Sequence, residues 1–422
     1  MSASRLETFD VVVVGGGPAG ATAATDLAKQ GRRVLLLDRA GRIKPCGGAI
    51  PPRLIKDFDI PDHLLVAKIN AARMISPTDK RVDMHIEGGF IGMVDREHFD
   101  EFLRERAAEA GAFRRTGTFT RITRDQDGTA IVEFKAEHGS SQQTDAATPG
   151  AAKDVTGQGA VMSERQRVRA RIVIGADGAN SAVAKQEIPG SELKKLVFAY
   201  HEIVRSPPEG KAADFDAKRC DVIYSGKSSP DFYSWVFPHG DTTSIGTGSA
   251  HKGFSLRDSV GDLRREHGYA DCETVRREGA PIPLKPLKTW DNGRDVILTG
   301  DAAGVVAPSS GEGIYYAMAA GRFVAEAAEE CLATSNPRVL KSARKRFMKA
   351  HGTVFFVLSV MQYFWYSSDK RRERFVTMCD DRDVQKLTFD AYMNKELVRA
   401  KPLAHVKIFF KDLGHLMGLV KA

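Results

Sequence analysis

A glycine-rich turn between two short apolar runs constrains the fold of this chain more than any other feature. The runs are residues 10–14 (DVVVV) and residues 34–38 (VLLLD), and GGGPAG follows the first directly. In this G-x-G-x-x-G pattern Gly15 permits a tight turn, Gly17 lets the backbone approach a pyrophosphate, and Gly20 lets the following helix pack on the strand. The pattern predicts a Rossmann-type β-α-β unit that binds a dinucleotide.

The residues around this turn complete a predicted phosphate and ribose site. Pro18 and Ala19 open the helix, whose N-terminal N–H groups and partial positive charge suit phosphates. Asp38 ends the second apolar run, about twenty residues beyond the turn, where an acidic residue binds ribose hydroxyls. We assign the adjacent Arg39 to the same site. FAD and NAD share this fingerprint, so it does not distinguish between them.

Two distant segments favour FAD over NAD. GADGANS (175–181) follows the apolar run RIVI, and LTGDAAGVVAPSSGEGI (298–314) begins at the end of another. Asp301 can hydrogen-bond a ribityl hydroxyl, while the next helix N-terminus faces the second phosphate and the flavin pyrimidine edge. Three such segments suit an extended FAD molecule. The further residues predicted to bind it are Ala176, Asp177, Gly178, Gly300, Gly311 and Gly313.

Together, the three segments resemble the para-hydroxybenzoate hydroxylase type of FAD fold. In such proteins an arginine that opens the helix after the first domain also contacts FAD, and Arg96 in VDREHFDEFL matches that position. The alternative interpretation of Arg96 is an exposed arginine at a helix start. The resemblance implies an α/β fold. It would contain a Rossmann-type FAD-binding domain of the glutathione reductase type, an antiparallel-sheet substrate domain and a helical C-terminal region.

Segments between these motifs resemble geranylgeranyl reductases, particularly the bacteriochlorophyll branch of phototrophic bacteria. The resemblance extends over nearly the whole chain and rests on KPCGGAIPPRL (44–54), FYSWVFPHGD (232–241), SSGEGIYYAM (309–318), MQYFWYSSD (361–369) and DDRDVQKLTFDAYMNKELV (380–398). It implies an enzyme that reduces three isoprenoid double bonds and converts a geranylgeranyl group to phytyl, with NADPH as electron donor. The substrate would be the pigment ester or geranylgeranyl diphosphate. Because a second G-x-G-x-x-G is absent, we expect NADPH to dock transiently over the flavin.

Cys46 is the leading candidate for a catalytic residue. It lies between Pro45 and the pair Gly47 and Gly48, which permit a close approach of the backbone to the flavin ring. In related reductases the cysteine of this motif is near the flavin and matters for activity. A thiol can donate a proton or modulate flavin reactivity. The alternative interpretation is a buried, inert cysteine.

The implied chemistry also requires an apolar channel. An isolated alkene is not polarised, so hydride delivery to one carbon must be matched by protonation of the other, in a site closed to water. We assign Tyr233, Trp235 and Phe237 to this channel, with ordinary core packing as the alternative. His239 and Arg53 are candidates for phosphate or substrate contacts, but the sequence favours ordinary surface positions for both.

The chain divides into three parts in this interpretation. The predicted FAD-binding domain is discontinuous and consists of residues 1–90, 95–180 and 285–335. Residues 181–284 form the antiparallel substrate domain, and residues 336–422 form the helical C-terminal region. Residues 136–168 contain few large apolar side chains and are predicted to be a mobile loop or a hairpin tip.

Composition limits which binding partners and which cellular compartment are expected for this chain. The five cysteines form no C-x-x-C pair, so neither a zinc site nor a disulfide framework is indicated, and no metal is expected. The N-terminus has no apolar signal core, which predicts a cytoplasmic protein. The net charge of +8 suits an anionic surface or substrate. Scattered Lys and Arg without a recognition motif argue against nucleic acid.

Two apolar segments indicate a peripheral contact with a membrane surface, which would be the cytoplasmic face of the photosynthetic membrane. Residues 353–366 (TVFFVLSVMQYFWY) are strongly apolar but too short to cross a bilayer. Residues 406–422 (VKIFFKDLGHLMGLVKA) predict an amphipathic basic helix able to lie on an anionic interface. A core-packed helix is the alternative interpretation of each.

Three other functions stay open on the sequence. A flavin monooxygenase could use the same fold, although KPCGG and the tail argue against it. A non-catalytic prenyl-lipid carrier has no use for flavin, so the complete set of glycine motifs argues against it. An archaeal-type reductase of membrane ether lipids would keep the chemistry and change the substrate.

Overall fold

The computed structural model describes residues 6–39, 41, 43–136, 165–208 and 214–395. The strands are β1 (Thr8–Val14), β2 (Val34–Asp38), β3 (Ala49–Ile50), β4 (Leu65–Ile69), β5 (Ala71–Ile75), β6 (Arg81–His85), β7 (Ile91–Val94), β8 (Phe113–Arg124), β9 (Ala130–Ala136), β10 (Arg165–Gly175), β11 (Leu196–Arg205), β12 (Arg219–Ile223), β13 (Ser234–His239), β14 (Thr242–Ser249), β15 (Thr274–Pro283) and β16 (Val296–Leu298). The helices are α1 (Pro18–Lys29), α2 (Pro52–Asp57), α3 (Arg96–Glu109), α4 (Ala182–Glu187), α5 (Leu256–Glu266), α6 (Ile314–Thr334), α7 (Lys341–Trp365), α8 (Asp369–Met378) and α9 (Arg382–Asn394).

The first sheet is the Rossmann-type sheet that the glycine turn predicts. Its parallel part has the order β8-β2-β1-β10-β16. Val11, Val12 and Val13 of β1 are completely buried, because α1 packs on β1 and β2, and α6 packs on α1 and β10. Burial on both faces explains why these strands are continuous apolar runs and do not alternate with polar residues. β9 extends the sheet by antiparallel pairing with β8 and β10.

The second sheet is mainly antiparallel and has the order β15-β11-β14-β13-β12-β5-β6. Its central strands β11, β13 and β14 come from the predicted substrate domain. β5 and β6 come from residues 71–85, which lie in the predicted FAD-binding domain, so the second sheet combines strands from both predicted domains. Ala71 of β5 pairs in parallel with Arg219 of β12. No local pattern specifies such a pairing between segments so distant in the chain.

The predicted loop of residues 136–168 is shorter than its composition indicated. Ala136 ends β9, and the segment 165–168 begins β10, with Lys135 opposite Arg165 in an antiparallel ladder. In this segment Arg165 and Arg167 are exposed and Val168 is buried, which is the period of a strand with one solvated face. The rest of the predicted loop, residues 137–164, lies outside the described residues.

The C-terminal part of the described chain is helical, as predicted. α6 lies so close to α1 that a Cβ on Gly321 would be 2.5 Å from the Ala19 carbonyl oxygen. α7 leaves Phe356, Val360 and Tyr363 exposed to solvent. Within the part of the chain that the structure describes, no helix is both long and apolar enough to pass through a bilayer.

Gly20 should be required for the packing of α1 on the first turn. A Cβ on Gly20 would be 1.9 Å from the Gly15 carbonyl oxygen, whereas a Cβ on Gly17 would meet nothing within 4 Å. We expect Gly20→Ala to lower the free energy of unfolding of the FAD-free protein by about 1–3 kcal/mol through overpacking. Urea denaturation measures this change. Gly17→Ala is the matched control, and equal losses in the two variants would contradict the prediction.

Candidate functional site

The three glycine-bearing turns meet at the carboxyl edge of the first sheet. Gly15 has φ 108°, and a Cβ there would be 2.3 Å from the Ala176 carbonyl oxygen. The Ala176 N–H donates to Val14 O at 2.8 Å, and the Thr299 N–H donates to Gly175 O at 2.9 Å. The ends of β1, β10 and β16 are therefore side by side. In open α/β sheets this edge is where ligands bind.

The N-terminus of α1 faces the space beside these turns. Gly17 is the N-cap residue, carries no capping side chain, and is followed by Pro18 at the first helical position. A Cβ on Gly17 would meet no atom within 4 Å. Free N–H groups and open space at a helix N-terminus suit the phosphates of a dinucleotide.

Asp38 lies where an acid that binds ribose is expected, at the carboxyl end of β2. Its carboxylate is 3.1 Å from the Arg104 guanidinium. Burial raises the pKa of Asp38 above its usual value, and the Gly16 N–H and Arg104 only partly offset this. Arg104 is not among the residues predicted from the sequence. Its signal was the helical spacing of Arg96, Asp100 and Arg104, which places all three on one face of α3.

Arg96 is buried, so the interpretation of an exposed arginine at a helix start is wrong. It is 6% exposed and donates two hydrogen bonds to Asp100, at 2.8 and 2.7 Å. Burial lowers the pKa of Arg96, but Asp100 and Cys46 raise it by a larger amount, so the net change is upward. The guanidinium therefore stays charged, and it lies against the thiol of Cys46.

Cys46 is held in a compact turn beside Arg96. The Gly48 N–H donates to Cys46 Sγ at 3.4 Å, and Gly48 itself has φ 70°. A Cβ on Gly48 would be 2.5 Å from Nε2 of His239, so this imidazole packs directly beneath the turn. Burial lowers the pKa of His239 despite its hydrogen bond to Phe237 O. The expectation of an ordinary surface position for His239 is therefore wrong. Arg53, by contrast, pairs with Asp57 on α2.

Tyr233, Trp235 and Phe237 face the same side of the second sheet, because alternate residues of a strand share a face. The ring of Trp235 is 6.0 Å from that of Tyr233 and 6.2 Å from that of Phe237, measured between centroids. The Tyr233 hydroxyl donates to Ser310 O at 2.5 Å. The three rings thus form one wall whose near edge contacts the glycine-rich loop before α6.

Two lysines that the sequence analysis missed hold the turn after β16. Lys44 forms an ion pair with Asp301. Lys194 Nζ donates to Ala302 O at 2.7 Å and to Ala179 O at 3.5 Å, so it joins the turns that follow β10 and β16. Burial lowers the pKa of Lys194 to about 8. The role of Lys194 follows only from its contacts with two backbone carbonyls. No pattern in the sequence predicts such contacts.

One cavity of about 1590 Å³ connects the polar turns with the aromatic wall. A second group of lining residues belongs to α7, α8 and α9. The predicted residues that line the cavity are Gly15, Gly17, Pro18, Ala19, Asp38, Arg39, Cys46, Gly47, Gly48, Arg96, Ala176, Asp177, Gly178, Tyr233, Trp235, Phe237, Gly300, Asp301, Gly311 and Gly313. Gly20 is the exception among them, because it packs α1 against Gly15. The described residues contain no cluster of three or more metal-ligating side chains.

Comparison with known proteins assigns the chain to a family. The profile of the pyridine nucleotide-disulphide oxidoreductase family matches residues 9–211. The geranylgeranyl diphosphate reductase of Rhodobacter capsulatus is 57% identical over 98% of this chain and 98% of its own length. The chain belongs to the geranylgeranyl diphosphate reductase family. This membership favours a reductase over the monooxygenase that the sequence left open.

Two archaeal proteins are more distant. The digeranylgeranylglycerophospholipid reductase of Methanocaldococcus jannaschii is 28% identical over 82% of this chain and 83% of its own length. The crystal structure of a geranylgeranyl bacteriochlorophyll reductase-like protein from Thermoplasma acidophilum superposes with a TM-score of 0.76 at 21% identity, covering 95% of this chain and all of that one. The likeness in structure supports the predicted fold. The higher identity to the diphosphate reductase favours that branch over the ether-lipid branch.

The pKa of Lys194 predicts a pH dependence of stability. The unfolded chain keeps the proton of this lysine up to about pH 10.4, whereas burial lowers the pKa in the folded protein to about 8. Between these values the unfolded state binds more protons, so the free energy of unfolding rises with pH. We expect the stability of the wild type relative to Lys194→Met to increase in urea denaturations from about pH 7 to about pH 9.5. A difference that stays flat over this range would contradict the assignment.

Proposed function

We propose that this chain is an FAD-dependent reductase that saturates three double bonds of a geranylgeranyl group and so forms phytyl, with NADPH as electron donor. The observation that carries the proposal is the single cavity joining the dinucleotide turns to an apolar, aromatic wall. The names of the relatives supply the isoprenoid class. The identical residues shared with a geranylgeranyl diphosphate reductase support geranylgeranyl diphosphate as substrate, and the pigment ester is the alternative to be tested against it.

The polar half of the cavity fits FAD. The space beside Gly17 accommodates a pyrophosphate at the α1 N-terminus. Asp38 with Arg104 suits the adenosine ribose, and Asp301 with Lys44 suits the ribityl chain. Each of these two carboxylates is already paired with a cation. The site therefore offers carboxylate oxygens that can accept hydrogen bonds from ligand hydroxyls, without an isolated buried charge. A bound flavin supplies hydride to the substrate.

The apolar half of the cavity fits an isoprenoid chain. Tyr233, Trp235 and Phe237 form its wall. Such an apolar lining suits a reaction that requires a site poor in water. Cys46 lies where this wall meets the polar turns, since a Cβ on the adjacent Gly47 would be 3.3 Å from the Phe237 ring. We assign Cys46 to the reacting centre, where its thiol donates a proton or modulates hydride delivery. NADPH, for which the chain has no second glycine fingerprint, docks transiently at the open side of the flavin.

The proposed reaction predicts products that differ by pairs of hydrogens. We expect the FAD-loaded protein with NADPH to convert geranylgeranyl diphosphate to products that gain two hydrogens successively, and mass spectrometry of the products measures this. The same assay with the geranylgeranyl pigment ester identifies the preferred substrate. Protein that stays colourless after reconstitution with FAD would contradict the proposal and favour the carrier function. Oxygen uptake with a hydroxylated product would favour a monooxygenase.

Cys46→Ala tests the role of the thiol within this reaction. The variant keeps the contacts of the three glycine turns, so we expect it to retain bound FAD and its absorption spectrum. Loss of product with FAD retained supports a role in the reaction, whereas full wild-type turnover would remove Cys46 from it.

We propose further that the exposed face of α7 contacts a membrane surface. Phe356 is 69% exposed and Tyr363 84% exposed, and both line the outer part of the cavity together with Val360. Exposed apolar side chains at the mouth of an apolar cavity suit entry of a substrate from lipid. The net charge of +8 adds attraction to anionic lipid. The predicted basic helix at residues 406–422 lies outside the described residues.

Loss of these side chains should weaken binding to vesicles. We expect Phe356→Ser combined with Tyr363→Ser to reduce co-sedimentation with anionic phospholipid vesicles by about tenfold, because each removes a large apolar group from the interface. Phe198→Ser is the matched control, since Phe198 is 52% exposed on β11 and does not line the cavity. Equal binding by the double variant and the control would exclude α7 as the contact.

A further inference from the structure

A buried ion pair connects the end of α9 with the loop that precedes α6. Lys395 Nζ is 2.8 Å from Glu312 Oε2, and the two side chains are 3% and 5% exposed. Both residues line the cavity. Neither belongs to the residues assigned above to FAD or to the isoprenoid. Two charges are costly to remove from water, so a pair at this position requires a reason beyond packing.

Lys395 has a strained backbone conformation, and aromatic rings contact its side chain. It ends α9 in the left-handed region, with φ 55°, which residues other than glycine seldom adopt. Its ammonium group lies 3.9 Å from the centroid of the Tyr392 ring and 5.6 Å from that of Tyr316. Cation–π contacts and the carboxylate together compensate the desolvated ammonium group. The left-handed conformation at the end of α9 is maintained by these contacts.

Glu312 transmits this contact to the backbone of the loop. Its second oxygen, Oε1, accepts a hydrogen bond from the Tyr315 N–H at 3.0 Å, in the first turn of α6. The Glu312 carbonyl oxygen accepts from the Ala307 N–H at 2.9 Å, which closes the loop of residues 307–312. One carboxylate therefore binds the lysine on one side and the α6 N-terminus on the other.

The same loop is held from two other directions. The Tyr233 hydroxyl donates to Ser310 O at 2.5 Å, and the Tyr366 hydroxyl donates to Ser309 O at 2.8 Å. Tyr233 precedes β13 and Tyr366 follows α7. The loop is thus positioned by the second sheet, by α7 and, through Lys395, by α9. Gly311 and Gly313 in this loop are among the residues predicted to bind FAD.

We propose that Lys395 is a positioning residue for the flavin: through Glu312 it fixes the loop of residues 309–313 and so couples the docking of α9 to the cofactor site. The inference deepens the proposed function, because it rests on FAD occupying the cavity. α9 lines the cavity through Phe389 and Tyr392, and in this proposal the loop reaches its binding geometry only with α9 in place. Loss of the lysine alone leaves an unneutralised carboxylate beside the flavin, whereas loss of both charges does not.

A double-mutant cycle in the full-length protein tests this coupling. The variants are Lys395→Met, Glu312→Gln and both together, and Lys386→Met removes a charge from the exposed side of α9 as the matched control. FAD affinity is measured by quenching of flavin fluorescence, and the midpoint potential of the bound flavin is measured by reductive titration. Thermal unfolding of the FAD-free variants reports whether each one is folded.

We expect Lys395→Met to weaken FAD binding by about tenfold and to shift the midpoint potential to more negative values, because an unpaired carboxylate opposes electron uptake. The double variant should recover the wild-type potential. If Lys395→Met does not fold, Glu312→Gln decides: it leaves an unpaired ammonium group, so it should shift the midpoint potential to more positive values, and the double variant should return the potential to the wild-type value. The inference would be overturned if Lys395→Met kept the wild-type FAD affinity and midpoint potential, as Lys386→Met is expected to do. Failure of the wild type itself to bind FAD would instead refute the proposed function.

Discussion

The close contact between the ends of β1 and β10 is the constraint on which the rest of the structure depends. Gly15 lies so near the Ala176 carbonyl that a Cβ would be 2.3 Å from that oxygen. The parallel register places Val14 opposite Gly175, and Gly175 opposite Leu298. The three strands therefore end, and the three turns begin, at the same edge of the sheet. Because the strands cannot separate without breaking buried ladders, the positions of the turns relative to one another are fixed before any ligand binds.

The cavity divides into two chemically different halves, and desolvation explains the division. In the polar half three carboxylates are paired with cations: Asp38 with Arg104, Asp301 with Lys44, and Asp100 with Arg96. A buried charge without a partner is far more costly than a pair, which explains why these carboxylates have cationic partners. In the other half, aromatic rings line the space and carry few groups that require water. This arrangement suits a polar dinucleotide at one end and an apolar chain at the other.

The sequence predicted the local structure around the cavity well. The strand–turn–helix pattern around Gly15 is confirmed, and nearly all of the assigned residues line one cavity. It predicted less well wherever a contact depends on the second sheet or the C-terminal helices. β5 and β6 belong to the second sheet, and His239 packs beneath the Cys46 turn. Lys194 and Lys395 carried no signal, because a single lysine between ordinary residues has no spacing to distinguish it.

Spacing along the chain by itself determined the β-α-β unit and the helix starts, because turns and helix termini depend on residues within a few positions of one another. The family was indicated by the resemblance of longer segments, not by spacing. Only the tertiary structure decided which distant groups meet. Lys395 and Glu312 are 83 residues apart, and Lys194 reaches a carbonyl 108 residues away. Such contacts follow from strand order and helix docking, which bring together residues that no local pattern relates.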